Sequence, residues 1–337
     1  MPRLAAVVCA CLLAATACAS SASRADRPLV RAAEGTMTSS SATSTSSSPL
    51  TTVAPTTSTA AVAPPPVPGV PGGLVTPRGI VVPVLSQTGS RSVVRTPCGA
   101  EATVVGGRSV TGATVVLDPG HGGPESGAVG PNGLTEATLN LAVTEQTRRV
   151  LQAAGVDVIL TRTAEYEVSL ATRTELATKL RPKAFVSIHH NSDPDGPRDG
   201  PGTETYYQIG SPTSKRLAGL IYEEVVRTLS AYQVSWVADR DAGAKYRQGE
   251  HGDYYSVLRR TAGVTSALAE LAFISNPPEA SMLAQPEVQR VEGDAVARGI
   301  LRYLTTNDPG SGFVEPYPRP PDRSAGGSSR PCKDPPL

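Results

Sequence analysis

The chain has 337 residues, with 31 Lys and Arg against 30 Asp and Glu and a formal net charge of +1. That balance gives no basis for a nucleic-acid or acidic-surface partner, and the length admits one sizeable domain with extensions or two small ones. Aromatic residues make up 4 % beside 32 Gly and 31 Pro, so part of the chain lies outside any packed core.

Taken in chain order, residues 1–18 read as an export signal. Arg3 supplies the basic start, and the apolar run over residues 4–15 is too short to span a bilayer comfortably. The small residues before Cys18 offer two outcomes. A lipoprotein-type cut would leave Cys18 acylated and tether the chain to a membrane; ordinary signal cleavage would release it into the envelope or wall. Residues 19–93 read as a disordered Ser/Thr/Pro/Ala-rich tether, because up to about Pro83 there is no strand or helix period. There is also too little bulky apolar surface to offset the entropy of ordering. The Pro/Gly-rich stretch 307–337 reads the same way, which leaves a folded domain over residues 94–306. Of the five cysteines, Cys98 and Cys332 remain outside the signal region and flank that domain. In an exported chain they favour a disulfide, the alternative being two free thiols in unfolded flanks.

Inside the window, strand and helix signals alternate. ATVVL (residues 113–117) is a short buried strand. Leu139, Val143, Val150 and Ala154 share one face of a helix that Gly155 ends. VDVILT (156–161) is the next strand, and a helix from about Leu170 stops near Pro182. AFVSI (184–188) and residues 203–209 are strand-like. A helix bearing Leu217, Leu220, Ile221, Val225 and Leu229 follows. Residues 264–268 form another strand, Asn276-Pro277 starts a helix, and Val296, Ile300 and Leu304 line the last one. The pattern predicts a single α/β domain with a mixed, largely parallel twisted sheet flanked by helices.

Polar residues sit where three of these strands end. His121 follows ATVVL across Asp-Pro-Gly, His189 follows AFVSI, and Glu270 follows VTSALA. Parallel neighbouring strands would bring all three to one sheet edge, where open α/β sheets place their sites. Glu136 joins from the first turn of a helix for which Thr135 is a plausible N-cap. Two imidazoles and a carboxylate make a zinc site with a fourth position open, and a second carboxylate nearby can take a proton from water. Two of these residues also have a plainer explanation, a loop histidine for His121 and a first-turn acid favoured by the helix dipole for Glu136, whereas Glu270 has few, because burying an unpaired carboxylate costs several kcal/mol. Asp118 fits either a partner orienting a ligand imidazole or a turn-forming residue. Arg162 and Arg173 read as structural, and His190 and His251 as supporting or surface residues.

DPGHGG, Gly127-Ala128, LTEATLNL, SIHHN and AELAFISN occur in the order found in zinc-dependent N-acetylmuramoyl-L-alanine amidases, a family that this chain resembles over most of residues 114–305. The resemblance implies that His121, Glu136 and His189 hold Zn²⁺ and that Glu270 is the catalytic glutamate. The implied reaction is cleavage, in peptidoglycan or muropeptides, of the amide between the lactyl group of N-acetylmuramic acid and the first L-alanine of the stem. Two other readings stand beside it: a zinc peptidase acting within the stem, and an inactive wall-binding module. The chain departs from the family pattern in having His190 where a small residue is usual after the third ligand. Strand alternation allows only one of these adjacent imidazoles to reach an ion, and the motif favours His189. Glu125 stands where Asp is more frequent and is read as having no consequence for the metal. The stretch 233–261 is short and rich in Gly and charge, so no built-in helical plug is expected. The chain is expected to be exported and monomeric.

Overall fold

A strand buried on both faces must be largely apolar, and three segments meet that condition. In the computed structural model, which describes residues 69–317 and 331–337, they form the centre of one sheet. The expected signal peptide, Cys18 and the Ser/Thr-rich stretch up to residue 68 lie outside the described residues. Strands in chain order are β1 (Gly73–Val75), β2 (Val81–Thr88), β3 (Arg91–Arg95), β4 (Glu101–Val105), β5 (Arg108–Val110), β6 (Val115–Pro119), β7 (Val158–Leu160) and β8 (Ala184–Asn191). They continue with β9 (Gly196–Arg198), β10 (Glu204–Tyr207), β11 (Trp236–Ala238), β12 (Ala244–Lys245), β13 (Gln248–Gly249), β14 (Gly252–Asp253) and β15 (Ser266–Phe273). The helices are α1 (Glu136–Ala153), α2 (Leu170–Leu180), α3 (Pro212–Leu229), α4 (Ser256–Arg259), α5 (Pro277–Leu283) and α6 (Pro286–Thr305). None of the described helices is long and apolar enough to cross a membrane.

The main sheet runs β12-β10-β15-β8-β6-β7. β7, β6, β8 and β15 are parallel, and β10 runs antiparallel to β15. The C-terminal ends of β6, β8 and β15 are therefore neighbours on one edge. Alternation divides the core: Val115, Leu117, Val186 and Ile188 pack with Leu139 of α1, Ile221 of α3 and Val296 of α6. Val116, Phe185 and Leu268 face the other way, against Leu176 of α2 and Val257 of α4. The helices start where capping chemistry allows: Thr135 accepts from the Thr138 amide, Ser169 from Thr172 and Ser211 from Ser214. α1 stops at Ala154, followed by Gly155 at φ +79°.

The folded region is larger than the sequence reading of 94–306. β1 to β5 form a five-stranded antiparallel sheet, order β4-β3-β2-β1-β5, whose first strand begins twenty-one residues earlier, at Gly73 rather than Val94. Leu74, Val82, Val84 and Val94 of this sheet enclose Tyr166 and Val168 from the loop between β7 and α2. The Ser169 amide donates to Pro97 O (2.9 Å) and Thr172 Oγ1 to Thr96 O (3.1 Å). The stretch after residue 306 is also built in. Phe313 packs into the main core, and Val314 N donates to Ala244 O at 3.1 Å. Cys332 is bonded to Cys98 with Cα atoms 5.7 Å apart, the Cys98 amide donates to Asp334 Oδ1 (2.7 Å), and Leu337 packs against the small sheet.

Candidate metal centre

The bend after β6 is held by two buried arginines rather than by local preference. His121 adopts φ +60°, a left-handed conformation that costs a non-glycine residue on the order of 1 kcal/mol. Arg162 donates to Pro119 O (3.0 Å), Gly120 O (3.0 Å) and Ala137 O (2.6 Å). Arg173 donates to Pro119 O and His121 O, both at 2.6 Å. Asp118 neutralises Arg173 at 2.6 Å and accepts from Thr161 and Ser187 hydroxyls. Burial opposes ionisation of Asp118, but Arg173 and the two hydroxyls outweigh it and hold the carboxyl below its ordinary value. Arg162 and Arg173 thus have the structural role expected of them. Asp118 serves the arginine and the bend, and among the described residues no imidazole is a hydrogen-bond partner of it.

The partner of the imidazole is Glu125, whose carboxylate lies 2.7 Å from His121 Nδ1. A tight turn places it there, with Gly122 and Glu125 exchanging backbone hydrogen bonds. The sequence reading gave this acid no bearing on the metal; the structure makes it the group that orients His121. Its place four residues after the histidine across a glycine turn was the available signal.

His121 Nε2 points at Glu136 Oε1 (3.1 Å), and His189 Nδ1 meets the same oxygen at 2.9 Å. The donor atoms of His121, Glu136 and His189 all lie within 4.8 Å of one another. Glu136 is fixed from behind: Oε2 accepts from the Ala128 amide (3.0 Å), and Oε1 from the His190 amide (3.2 Å) and Asn140 Nδ2 (3.3 Å). Two glycines let the loops close around the cluster. A Cβ at Gly120 would lie 2.1 Å from the His189 ring, and one at Gly127 would lie 2.5 Å from Glu136 Oε2. Burial would raise the Glu136 carboxyl, yet hydrogen bonds and charge from His121 and His189 hold it well below the usual range. Burial lowers His189, which keeps it a neutral donor. Burial also opposes protonation of His121, but Glu125 and Glu136 push it up to about 10. The cluster therefore attracts positive charge, and two imidazoles with one carboxylate can hold a divalent metal with a position left over.

Glu270 is the register partner of His189 across β15 and β8, so both side chains leave the same face. Glu270 is half-buried, and its buried Oε2 has no hydrogen-bond partner among the described residues. Burial raises its carboxyl well above the ordinary value, and the charges of Glu136 and Glu204 add to that. His190 faces the opposite side of the sheet, with Nδ1 2.8 Å from Asn140 Oδ1, so the structure brings His189 and not His190 to the cluster. His251 is exposed, with Glu250 as its neighbour. A second acidic group, Glu204, Asp239 and Asp241, already holds the Lys245 ammonium at 2.5 Å from Glu204 and 2.6 Å from Asp241.

His121 and His189 line a groove of about 400 Å³ whose lining also includes Glu125, Glu167, Leu170, Tyr255, Val257 and Leu268. The lining mixes polar and apolar side chains. A depression of the same volume at the start of α3 shares none of these residues.

Residues 115–302 match the family described as N-acetylmuramoyl-L-alanine amidase. The chain belongs to that family. It is a hydrolase of the amidase class. Its similarity to the germination-specific N-acetylmuramoyl-L-alanine amidase of Bacillus subtilis (strain 168) is 30 % over 210 residues, covering 58 % of this chain and 81 % of that protein. The uncharacterised protein YqiI of the same organism is 36 % identical over 209 residues, 61 % of this chain and 90 % of its own length. Among solved structures, Cwp6 from Clostridium difficile superposes with a TM-score of 0.51 at 32 % identity, over 58 % of this chain and 30 % of that one. The small N-terminal sheet and the disulfide-linked C-terminus fall outside the matched residues 115–302.

Proposed function

We propose that this amidase cleaves the bond between the lactyl carbonyl of N-acetylmuramic acid and the L-alanine nitrogen of the stem, in peptidoglycan or its soluble fragments. The observation that carries this reading is the Glu270 carboxylate, whose buried Oε2 has no hydrogen-bond partner among the described residues, beside the three-donor cluster. Leaving a buried carboxylate oxygen without a partner costs free energy, a cost that is tolerated where the group has work to do.

His121, Glu136 and His189 would hold Zn²⁺, which suits an N/N/O donor set with an open position. When bound, such an ion lowers the pKa of a water toward about 7 and polarises a carbonyl. Glu270 takes the proton from the attacking water and returns it to the departing alanine nitrogen, so that nitrogen leaves as a neutral amine. A carboxyl raised by burial is suited to both halves of that task, because it accepts a proton readily and is still acidic enough to give it up. Glu125 keeps the His121 Nε2 lone pair directed at the ion by accepting from Nδ1. Leu268, Val257 and Tyr255 add apolar surface to the lining of the groove. Export to the envelope or wall, with Cys18 lipidated or removed, fits a wall substrate, and the chain acts as a monomer.

The test is product analysis by mass spectrometry after digestion of purified peptidoglycan, with and without chelator, for wild type and Glu270→Gln. The expected result is free L-alanine amino ends with intact muramic acid, lost on chelation. Glu270→Gln should retain zinc and lose roughly 10²- to 10⁴-fold in kcat. New ends within the stem would make the chain a peptidase. No products from wild type would make it a binding module, and a fully active Glu270→Gln would remove Glu270 from the chemistry.

A further inference from the structure

His190 and Glu292 are an odd pair to find in a core. His190 is 1 % exposed and Glu292 0 %. They lie on the face of the sheet away from the groove, between β8 and α6, with His190 Nε2 3.5 Å from Glu292 Oε1. Neither that nitrogen nor either Glu292 oxygen has a hydrogen-bond partner among the described residues. Two apolar residues there would avoid the cost of burying them.

We propose that His190 is a positioning residue for the metal ligand Glu136, acting through Asn140. The argument runs through the Asn140 amide. Its Nδ2 lies 3.3 Å from Glu136 Oε1 and 3.3 Å from Gly120 O, and both are acceptors. Only the NH2 end of the amide can serve both. The carbonyl end then faces His190 Nδ1 at 2.8 Å, so Nδ1 must carry a hydrogen. Without His190 the amide can flip, and its oxygen then opposes the Glu136 carboxylate one helical turn away. The same amide holds Gly120 O, the carbonyl next to His121, so one side chain orients two of the three ligand-bearing segments.

This inference rests on the reading of His121, Glu136 and His189 as a zinc site, and its readout is affinity rather than turnover alone. The purified full chain and its variants would be titrated with zinc against a chromophoric chelator, alongside KM for a muropeptide and the thermal midpoint. His190→Leu should weaken zinc by about 10- to 100-fold, the usual effect of losing a group that orients a ligand, with KM unchanged. His190→Asn, which keeps an N–H close to the Nδ1 position, should restore affinity to within about threefold of wild type. The double substitution His190→Leu with Glu292→Leu removes the buried carboxyl together with the imidazole and leaves Asn140 Oδ1 without its partner, so its thermal midpoint should exceed that of His190→Leu alone. Its zinc affinity should still fall. Zinc dissociation constants within twofold of wild type for the double variant would overturn the proposal, as would a loss that His190→Asn fails to restore. A wild-type chain that binds no zinc would overturn the reading of the site itself.

Discussion

Adding one methyl group at Gly120 should dismantle the metal centre while sparing most of the fold. An alanine Cβ there would stand 2.1, 2.3 and 2.6 Å from His189 Cε1, Nε2 and Nδ1. Restoring an ordinary 3.4 Å contact needs the ring or the loop to retreat by about 1.3 Å. Neither can do so cheaply. The Gly120 amide donates to Ile188 O at 3.0 Å, and its carbonyl is held by Arg162 and Asn140. His189 stands on a central strand paired on both sides. Overpacking of this kind costs about 1–3 kcal/mol of stability. A displacement of about 1 Å in a catalytic group costs about 100-fold in rate. Gly120→Ala should therefore lose at least about 100-fold in kcat/KM and bind zinc far more weakly, while its circular dichroism spectrum stays that of the folded chain. Gly196→Ala is the control, since a Cβ there meets nothing within 4 Å. Zinc binding and turnover of Gly120→Ala within threefold of that control would refute the geometry of the centre.

Four more outcomes are expected. Glu125→Ala frees the His121 ring and should weaken zinc by about 10- to 100-fold in the same chelator competition. Arg173→Met strands Asp118 in the core and should lower the urea unfolding free energy by about 3–5 kcal/mol at neutral pH. In the metal-free protein, burial raises the Glu270 carboxyl above its ordinary value of 4.5. Its contribution to stability is then fully present below that pH and lost as pH rises. Metal-free Glu270→Gln should accordingly be more stable than metal-free wild type at pH 7, with the difference vanishing in thermal melts below about pH 4. Replacing Cys98 and Cys332 together by serine opens a link between residues 234 positions apart. This should cost about 3–5 kcal/mol in denaturant unfolding.

What the sequence displays and what it hides follow from how far apart the interacting residues lie. Runs such as ATVVL and AFVSI mark central parallel strands because both faces are buried, and that alone lines up the ends carrying His121, His189 and Glu270. Thr135 marks the start of α1 and so puts Glu136 in the first turn. Alternation along β8 separates His189 from His190 without any further information. By contrast, β1 and β2 are masked by their own composition. Gly72, Gly73 and Pro83 read as breakers, although Pro83 lies within β2 opposite Gly73. The Gly89-Ser90 turn between β2 and β3, with Gly89 at φ +58°, was a usable hairpin signal. The role of Asp118 could not be read locally, since Arg173 is 55 residues away. The same holds for Phe313, which finds its place only once α3 and β12 exist to receive it.

The bond between Cys98 and Cys332 turns nearly the whole catalytic region into a covalent ring, with the small sheet's outer strands at the clasp. A protease that cuts one surface loop anywhere inside that ring produces two fragments that cannot diffuse apart. A nicked molecule can then re-form its sheet without having to find its other half, which favours endurance wherever degradative enzymes are abundant.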